Sequence, residues 1–301
     1  MADPELTLRA ANTEATFLPG LGMVGVSLRQ DGQDVLALPG GLDAYRAGHV
    51  VGLPLLAPWA NRLGGWHYEI AGVAVDLTDL DLHDDGAGLP IHGTMVAQTG
   101  WKIARSTDST LEARFDYGAR PDLLRAFPFP HELVLDIEVA DRRLRVATTI
   151  RPTADRRVPV SFGWHPYLAL PASREETLLR MPACEHRLLD SRGLPTGAGE
   201  PQPAEARPLG DRAFDDLYAL GDDRRLALEG GGRTVTVELE EGYPFAQVYS
   251  PAGADFGCLE AMTAPTNALV TGPCSLVEPG GEFTARFSIT LGDQGVTAGS
   301  R

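Results

Sequence analysis

Apolar and polar residues alternate along short stretches of the chain, and this two-residue period is typical of strands with one buried face. The clearest example is residues 133–139, which lead through a turn at Asp141 and Arg142 into residues 144–150. The alternation recurs in four further runs, at residues 68–75, 111–117, 234–240 and 283–291. No run of about ten residues keeps the 3.6-residue period of a helix. The pattern predicts an all-β fold, a large antiparallel sandwich or barrel with few, short helices.

Two stretches break the alternation, residues 79–90 and residues 190–212, and we predict loops there because turn-forming residues replace the periodic pattern. Loops of this length within a compact domain are commonly functional or disordered. Residues 20–25 formally fit GxGxxG, but residues 24–28 alternate as a strand does, whereas a phosphate-binding loop has to open a helix. We therefore predict a strand and no nucleotide site.

Length and composition favour one domain over residues 1–301, because a chain of 301 residues with 43% apolar content can bury a large core. Residues 295–301 are predicted to be a flexible tail. The formal net charge of −15 disfavours nucleic acid and anionic membranes as partners. Neither a membrane span nor a signal peptide is recognisable, so we expect a cytoplasmic location. The oligomeric state has no signal in the sequence.

The residue types also restrict the chemistry. Lys102 is the sole lysine, and its place between apolar residues in a predicted strand makes it a poor candidate for Schiff-base catalysis. The three cysteines lie far apart without CxxC spacing, and the seven histidines show neither an HxH nor an HExxH pattern. The sequence therefore predicts neither a disulfide framework nor a metal site.

Short clusters place polar side chains among aromatic and small residues at residues 58–62, 91–93, 161–167, 214–218 and 258–260. Sugar sites are built in this way, because aromatic faces pack on C–H groups while a few polar groups bind hydroxyls. Taken singly, most of these polar residues have structural explanations, such as ion pairs or turn caps. Glu260 is less easily explained, because a carboxylate between Leu259 and Ala261 needs a reason to be buried.

The order of the clusters resembles that of the aldose 1-epimerase (galactose mutarotase-like) family. In that family an Asn-Arg, a His-Gly, a His-x-Tyr, an Asp followed three residues later by an aromatic residue, and a Leu-Glu occur in this order. Here the motifs are Asn61-Arg62, His92-Gly93, His165-Pro166-Tyr167, Asp215 with Tyr218, and Leu259-Glu260. Each motif is weak alone, but all of them in register over residues 24–291 are specific.

The resemblance implies a large antiparallel β-supersandwich and an enzyme that interconverts the α and β anomers of a free monosaccharide. It implies His165 as the general acid and Glu260 as the general base. Substrate-binding roles follow for the remaining motif residues, which are Arg62, His92, Asp215, Asn61 and Tyr167. Asp216 stays an alternative to Asp215, because the doublet allows either register. The sequence context of His165 and of Glu260 differs from that of the best-known galactose mutarotases, so galactose is not specified as the sugar.

Anomerisation removes a proton from the C1 hydroxyl and delivers one to the ring oxygen, and reference pKa values of about 4.3 for glutamate and about 6.5 for histidine suit both tasks. This acid/base chemistry requires neither a metal nor another cofactor. Two alternatives remain at this stage. One is a glycoside hydrolase that uses Glu260 with Asp215 or Asp216. The other is a non-catalytic carbohydrate-binding protein.

Overall fold

The computed structural model describes residues 5–293, so the predicted tail at residues 295–301 lies outside the described residues. Pairing between the named strands is antiparallel throughout, as the alternation predicts. Helical structure in this part of the chain is short: α1 (Gly41–Arg46), α2 (Pro121–Leu124), α3 (Ala268–Thr271), and single 3-10 turns at Pro19–Leu21 and Tyr117–Ala119. None of the described helices is long and apolar enough to cross a membrane.

The first half of the chain forms the strands β1 (Leu6–Ala10), β2 (Thr13–Leu18), β3 (Val24–Gln30), β4 (Gln33–Asp34), β5 (Leu55–Leu56), β6 (His67–Ile70), β7 (Val73–Asp76), β8 (Lys102–Ser106), β9 (Thr110–Asp116), β10 (His131–Ala140) and β11 (Arg143–Pro152). The second half forms β12 (Val158–Val160), β13 (Gly163–Trp164), β14 (Tyr167–Leu168), β15 (Leu178–Met181), β16 (Cys184–Leu189), β17 (Pro195–Gln202), β18 (Glu205–Pro208), β19 (Phe214–Leu220), β20 (Arg225–Gly230), β21 (Arg233–Glu241), β22 (Phe245–Ser250), β23 (Gly257–Met262), β24 (Ser275–Val277) and β25 (Phe283–Asp293).

Two large sheets organise these strands. The nine-stranded sheet has the order β18-β15-β20-β21-β25-β11-β10-β9-β8. The eight-stranded sheet has the order β17-β16-β19-β22-β23-β13-β5, and β14 pairs with β23 beside this path. Trp164 of the eight-stranded sheet packs on Phe287 of the nine-stranded sheet, with ring centroids 5.9 Å apart, and its Nε1 donates to Thr148 Oγ1 at 2.9 Å. The core therefore lies between the two sheets, as in a sandwich.

The predicted hairpin at residues 133–150 is confirmed, because β10 and β11 pair with Leu133 opposite Ile150. Residues 68–75 form a hairpin rather than one strand, since Ala71 and Gly72 adopt φ values of 51° and 77° and reverse the chain. That pair of left-handed residues is the geometry of a tight hairpin turn. The strand expected over residues 24–28 is confirmed as β3.

The loop predicted for residues 190–212 is wrong over most of its length, because it contains β17 and β18. These are outermost strands, β17 of the eight-stranded sheet and β18 of the nine-stranded sheet. Most of their residues are exposed, so their side chains need no apolar alternation. Residues 79–90 do lack regular strands, apart from an isolated bridge between Asp84 and Pro90.

One face of the eight-stranded sheet belongs to the core and the other carries polar groups. In β23, Leu259 and Ala261 join the hydrophobic core, and Glu260 between them points to the opposite face. In the neighbouring β22, Val248 joins the same core, which leaves Gln247 and Tyr249 on the side of Glu260. The strand period thus lines up polar side chains on the face that is turned away from the core.

Candidate functional site

A cavity of about 570 Å³ lies at this polar face. It is lined by all but one of the residues that the sequence singles out, namely Asn61, Arg62, His92, His165, Tyr167, Asp215 and Glu260. The exception is Asp216. These residues come from loops and strands that are far apart in the chain, so the fold alone brings them together. The volume falls within the range of small-molecule sites, which is about 300–1,000 Å³.

His165 and Glu260 form a buried pair at the wall of the cavity. His165 directly follows β13, and its Nε2 lies 3.2 Å from Oε1 of Glu260, with side-chain exposures of only 5% and 1%. The His165 ring stacks on Tyr167, with centroids 4.7 Å apart and an interplanar angle of 10°. His92 meets the His165 ring edge-on at 5.6 Å. Aromatic packing on two sides therefore fixes the imidazole against the carboxyl group.

Burial drives both members of this pair toward their uncharged forms. Desolvation raises the pKa of Glu260 well above its usual value, the negative charge of Asp215 adds to this, and Arg62 opposes it. Desolvation also lowers the pKa of His165 to about 3. Both shifts favour the state in which the imidazole and the carboxyl are uncharged and face each other across the 3.2 Å contact. The ionised form of Glu260, expected from reference values alone, is disfavoured here because only 1% of the side chain is exposed.

Arg62 is held between two carboxylates. Its Nε donates to Asp85 Oδ2 at 3.0 Å, and its Nη2 donates to Asp215 Oδ2 at 2.8 Å. Burial opposes the guanidinium charge, but the two carboxylates raise the pKa of Arg62. Asp85 accepts backbone hydrogen bonds from Ala87 and Leu89 as well, and together with Arg62 these lower its pKa against the effect of burial. The guanidinium is thus a fixed cation at the cavity wall.

Asp215 is fixed by a second contact, because Gln247 Nε2 donates to its Oδ1 at 2.7 Å. Gln247 is buried and lies directly opposite Glu260 in the pairing of β22 with β23. Asp215 thus has one oxygen on Arg62 and the other on Gln247. The carboxylate is therefore well oriented, because each of its oxygens accepts a hydrogen bond from the protein.

Two loops that are joined by backbone hydrogen bonds contain Asn61, Arg62 and His92. The backbone N–H of His92 donates to the Asn61 carbonyl at 3.0 Å, and that of Thr94 donates to Ala57 at 2.7 Å. Asn61 and His92 both have positive φ values, 54° and 65°. Gly93 is required by close approach, since a Cβ there would lie 2.1 Å from the Ala57 carbonyl oxygen. The His-Gly motif therefore has a structural reason beside its position at the cavity.

The structure separates the two carboxylates of the Asp215-Asp216 doublet. Successive side chains of a strand point to opposite faces, and both residues lie in β19. Asp215 lines the cavity, whereas Asp216 Oδ1 lies 3.1 Å from His186 Nε2, away from it. Of the two registers left open by the sequence, the structure puts Asp215, and not Asp216, at the cavity with the other predicted site residues.

Sequence reasoning missed several residues of this site. Asp85 lies in the irregular segment at residues 79–90, where its only signal was the loop itself. Gln247 and Tyr249 alternate with apolar residues in β22, which could have been recognised as the polar face of a buried strand. His49 and His83 line the outer part of the cavity with ring centroids 5.5 Å apart, and no spacing motif indicates this pair.

Buried polar atoms without partners surround the cavity. Within residues 5–293, no hydrogen-bonding partner reaches His92 Nδ1, His165 Nδ1, Gln247 Oε1 or Glu260 Oε2. An unpaired buried polar atom costs about 1–3 kcal/mol, so groups of this kind at a cavity wall are suited to bind water or a polar ligand. No cluster of three or more His, Cys, Asp or Glu side chains in this part of the chain is arranged to hold a metal ion. The arrangement can bind a neutral polar molecule and exchange protons with it.

The same architecture occurs in solved structures. A protein from Synechocystis aligns with a TM-score of 0.80 at 23% identity, covering 98% of this chain and 97% of its own. A galactose mutarotase-like protein from Clostridium acetobutylicum aligns with a TM-score of 0.85 at 18% identity, covering 96% and 95%. A GalM/aldose epimerase homologue from C. elegans aligns with a TM-score of 0.79 at 17% identity, covering 97% and 99%. The predicted galactose mutarotase-like β-supersandwich is thereby confirmed.

Comparison of the sequence itself gives the family. No curated protein matches the chain significantly. The family model described as aldose 1-epimerase, however, matches residues 4–290, which is nearly the whole length. The resemblance inferred from the ordered motifs is therefore confirmed, and the chain belongs to the aldose 1-epimerase family.

Proposed function

We propose that the protein is a mutarotase, which interconverts the α and β anomers of a free aldose by opening and reclosing the sugar ring. The observation that supports this most directly is the 3.2 Å contact between His165 Nε2 and Glu260 Oε1 at the wall of a polar cavity. An acid and a base at one small site are what ring opening requires, and each typically contributes about 10²–10⁴ in rate.

In the proposed reaction, Glu260 removes the proton from the C1 hydroxyl while His165 delivers a proton to the ring oxygen. The bond between C1 and the ring oxygen breaks, C1 becomes an aldehyde, and rotation about the C1–C2 bond presents its other face. Ring closure then reverses both proton transfers. No atom or electron is left over, because each proton taken by one residue is matched by a proton given by the other.

One proton shared between His165 and Glu260 is enough for this cycle. With the closed sugar bound, the working form has the proton on His165 and a negative charge on Glu260, which differs from the uncharged form by one proton transfer. Ring opening returns the pair to the uncharged form, with the proton on Glu260. Because burial favours uncharged groups, forming the ionised pair has a free-energy cost, and ring opening recovers that cost.

The other cavity residues have positioning roles in this proposal. Arg62 cannot deprotonate and offers a rigid set of donors to sugar oxygens without competing for the transferred proton. Asp215, held by Arg62 and Gln247, accepts from a sugar hydroxyl. His92 and Asn61 supply further polar contacts, and Tyr167 supports the His165 ring.

The contacts of the carboxylates disfavour the hydrolase alternative. A glycosidase usually needs two carboxyl groups that flank the scissile bond, one of them free to act as a nucleophile or base. Asp215 is held by the Arg62 guanidinium and by Gln247, which weakens it as a nucleophile but leaves a second acceptor site on each oxygen for a sugar hydroxyl, and Asp216 points to the other face of β19. A non-catalytic sugar-binding protein remains as an outcome of the test, because it would need the pocket but not the pair of His165 and Glu260.

The test is a polarimetric assay of freshly dissolved, pure aldose anomers in buffer that contains a metal chelator. We expect the protein to accelerate the decay of optical rotation for at least one aldose, and Glu260→Gln to abolish the acceleration. Methyl glycosides should be unaffected, because a blocked O1 has no proton for Glu260 to remove.

Each other outcome contradicts the proposal in a distinct way. Release of methanol from a methyl glycoside would indicate a hydrolase. Sugar binding by calorimetry without any acceleration would indicate a binding protein. Loss of activity on chelation, restored by added metal, would overturn the metal-free mechanism.

A further inference from the structure

The turn that joins β16 to β17 lies against the guanidinium of Arg62. A Cβ atom built on Gly193 would lie 2.9 Å from Arg62 Nη1, 3.2 Å from Cζ and 3.4 Å from Nε. The first of these distances is shorter than a real Cβ contact allows. The glycine therefore leaves space for Arg62 that an alanine side chain would occupy. Gly193 lies 131 residues after Arg62 in the sequence (193 − 62), so the fold brings the two together.

The turn is a well-bonded structure that cannot easily move aside. Asp190 Oδ1 accepts from the backbone N–H groups of Arg192 at 2.8 Å and Leu194 at 3.0 Å. The Asp190 carbonyl accepts from Gly193 at 3.0 Å, and the Asp190 N–H donates to the Leu194 carbonyl at 2.8 Å. A side chain at Gly193 would have to displace either these bonds or the guanidinium.

The guanidinium itself has little freedom to retreat. Asp85 holds Nε and Asp215 holds Nη2, so two of the three nitrogens are already bound. Over the described residues Nη1 has no hydrogen-bonding partner, so both of its N–H groups are left for another acceptor. It is also the nitrogen that a methyl group at Gly193 would touch first.

We infer that Gly193 is a positioning residue for the proposed epimerase reaction: its lack of a side chain lets Arg62 span Asp85 and Asp215 while Nη1 keeps its donors for a sugar oxygen. The inference rests on the proposed function and adds to it a contribution from an outermost hairpin of the eight-stranded sheet. Gly193 acts through Arg62 and does not itself touch the substrate.

The same hairpin offers a matched control. Gly193 and Gly197 both have positive φ values, 71° and 89°, so alanine strains the backbone at either position. Around the Cβ position of Gly197, however, no atom lies within 4 Å. Comparing Gly193→Ala with Gly197→Ala therefore separates the contact with Arg62 from the strain that both substitutions share.

We expect Gly193→Ala to lower kcat/KM by roughly 10- to 100-fold, the size of effect that a small misplacement of a positioning group produces. A rise in KM should account for most of the loss, and Gly197→Ala should stay within about twofold of the wild type. In an Arg62→Lys background, which lacks Nη1, Gly193→Ala should have almost no further effect, because the two residues act through one contact. Equal losses for the two alanine variants, or a full loss in the Arg62→Lys background, would overturn the inference.

A second measurement does not depend on enzymatic activity, so it tests the inference even if the proposed function fails. In NMR spectra of protein labelled with ¹⁵N-arginine, the Nε–H signal of Arg62 can be assigned by its disappearance in Arg62→Lys. This signal should shift in Gly193→Ala and stay in place in Gly197→Ala. An unmoved signal in Gly193→Ala would contradict the inference, whereas a shifted signal in a protein without mutarotase activity would contradict the proposed function alone.

Discussion

Two histidine–carboxylate pairs on the eight-stranded sheet have almost the same geometry and very different surroundings. The inner pair, His165 and Glu260, is 3.2 Å apart with side-chain exposures of 5% and 1%. The outer pair, His186 and Asp216, is 3.1 Å apart with both side chains 30% exposed. Each histidine also stacks on a tyrosine, Tyr167 in the inner pair and Tyr218 in the outer one.

The difference shows that distance alone does not identify a site for chemistry. Water around the outer pair screens its charges, so such a contact contributes about 0–1 kcal/mol of stability. The inner pair is almost fully shielded from bulk water, and burial there shifts the pKa values of both groups toward the uncharged state. Of the two pairs only the inner one lines the cavity, so only the inner pair is placed to exchange protons with a molecule bound there.

The largest effect is expected from substitutions of the inner pair. Glu260→Gln and His165→Gln should each lower kcat by about 10²–10⁴, because each removes one of two coupled proton transfers. Sugar binding should remain measurable by calorimetry, and the double variant should be little slower than either single one. Near-normal turnover in Glu260→Gln, with an unchanged melting profile, would remove Glu260 from the chemistry and the proposed mechanism with it.

The pH dependence distinguishes the inner pair from an ordinary histidine. A second proton enters the pair only near the pKa of His165, about 3, so kcat/KM should be nearly constant as the pH falls from about 7 to about 5. On the alkaline side activity should fall only as the single proton is lost, above the usual glutamate range because burial raises the pKa of Glu260. A half-maximal loss near pH 6.5, in protein that remains folded by circular dichroism, would show that His165 is not shifted.

A smaller effect is expected from the groups that orient the sugar. Arg62→Ala and Asp215→Ala should raise KM and lower kcat, with a combined loss of about 10- to 100-fold in kcat/KM, which corresponds to a charged hydrogen bond of about 1.5–3 kcal/mol. Both parameters should change because these contacts exist in the ground state and the transition state alike. Steady-state polarimetry measures both, and a pure kcat effect would assign these residues to proton transfer instead.

The smallest effect is expected from the outer pair. Asp216→Asn and His186→Gln should leave kcat/KM within about twofold of the wild type and change the free energy of unfolding by no more than about 1 kcal/mol, because the pair is partly solvated. Chemical denaturation and the mutarotase assay test both statements. A severe loss in Asp216→Asn combined with a mild one in Asp215→Ala would contradict the register of β19.

The sequence predicts features that depend on neighbouring residues, and it does not predict features that depend on how distant strands assemble. Strand alternation is local, so the hairpin at residues 133–150 was recognisable, and Glu260 was conspicuous as a carboxylate between apolar neighbours. The choice between Asp215 and Asp216 depends on which face of β19 meets the core, and that is a property of the assembled sheets. Asp85 lies in an irregular loop, where no periodic pattern and no motif spacing indicates which way its side chain points.

The segment at residues 190–212 shows that strands can also form where the sequence has no strand pattern. Its residues form strands because neighbouring strands offer unpaired backbone groups, not because of an apolar pattern of their own. Turn-forming composition therefore led to a wrong loop prediction. The contact between Gly193 and Arg62 was equally hidden, since nothing local to a Gly in a turn indicates a partner elsewhere in the chain.

The ion pair between Arg62 and Asp215 joins residues that are 153 positions apart in the chain. Closing a loop of this length has an entropic cost that must be met before the contact can form, and folds rich in such distant pairings assemble slowly. During synthesis, the site cannot form until β19, which carries Asp215, has emerged from the ribosome. During refolding from denaturant, recovery of enzymatic activity should therefore lag behind the far-ultraviolet circular dichroism signal, because strands can form before their distant residues meet.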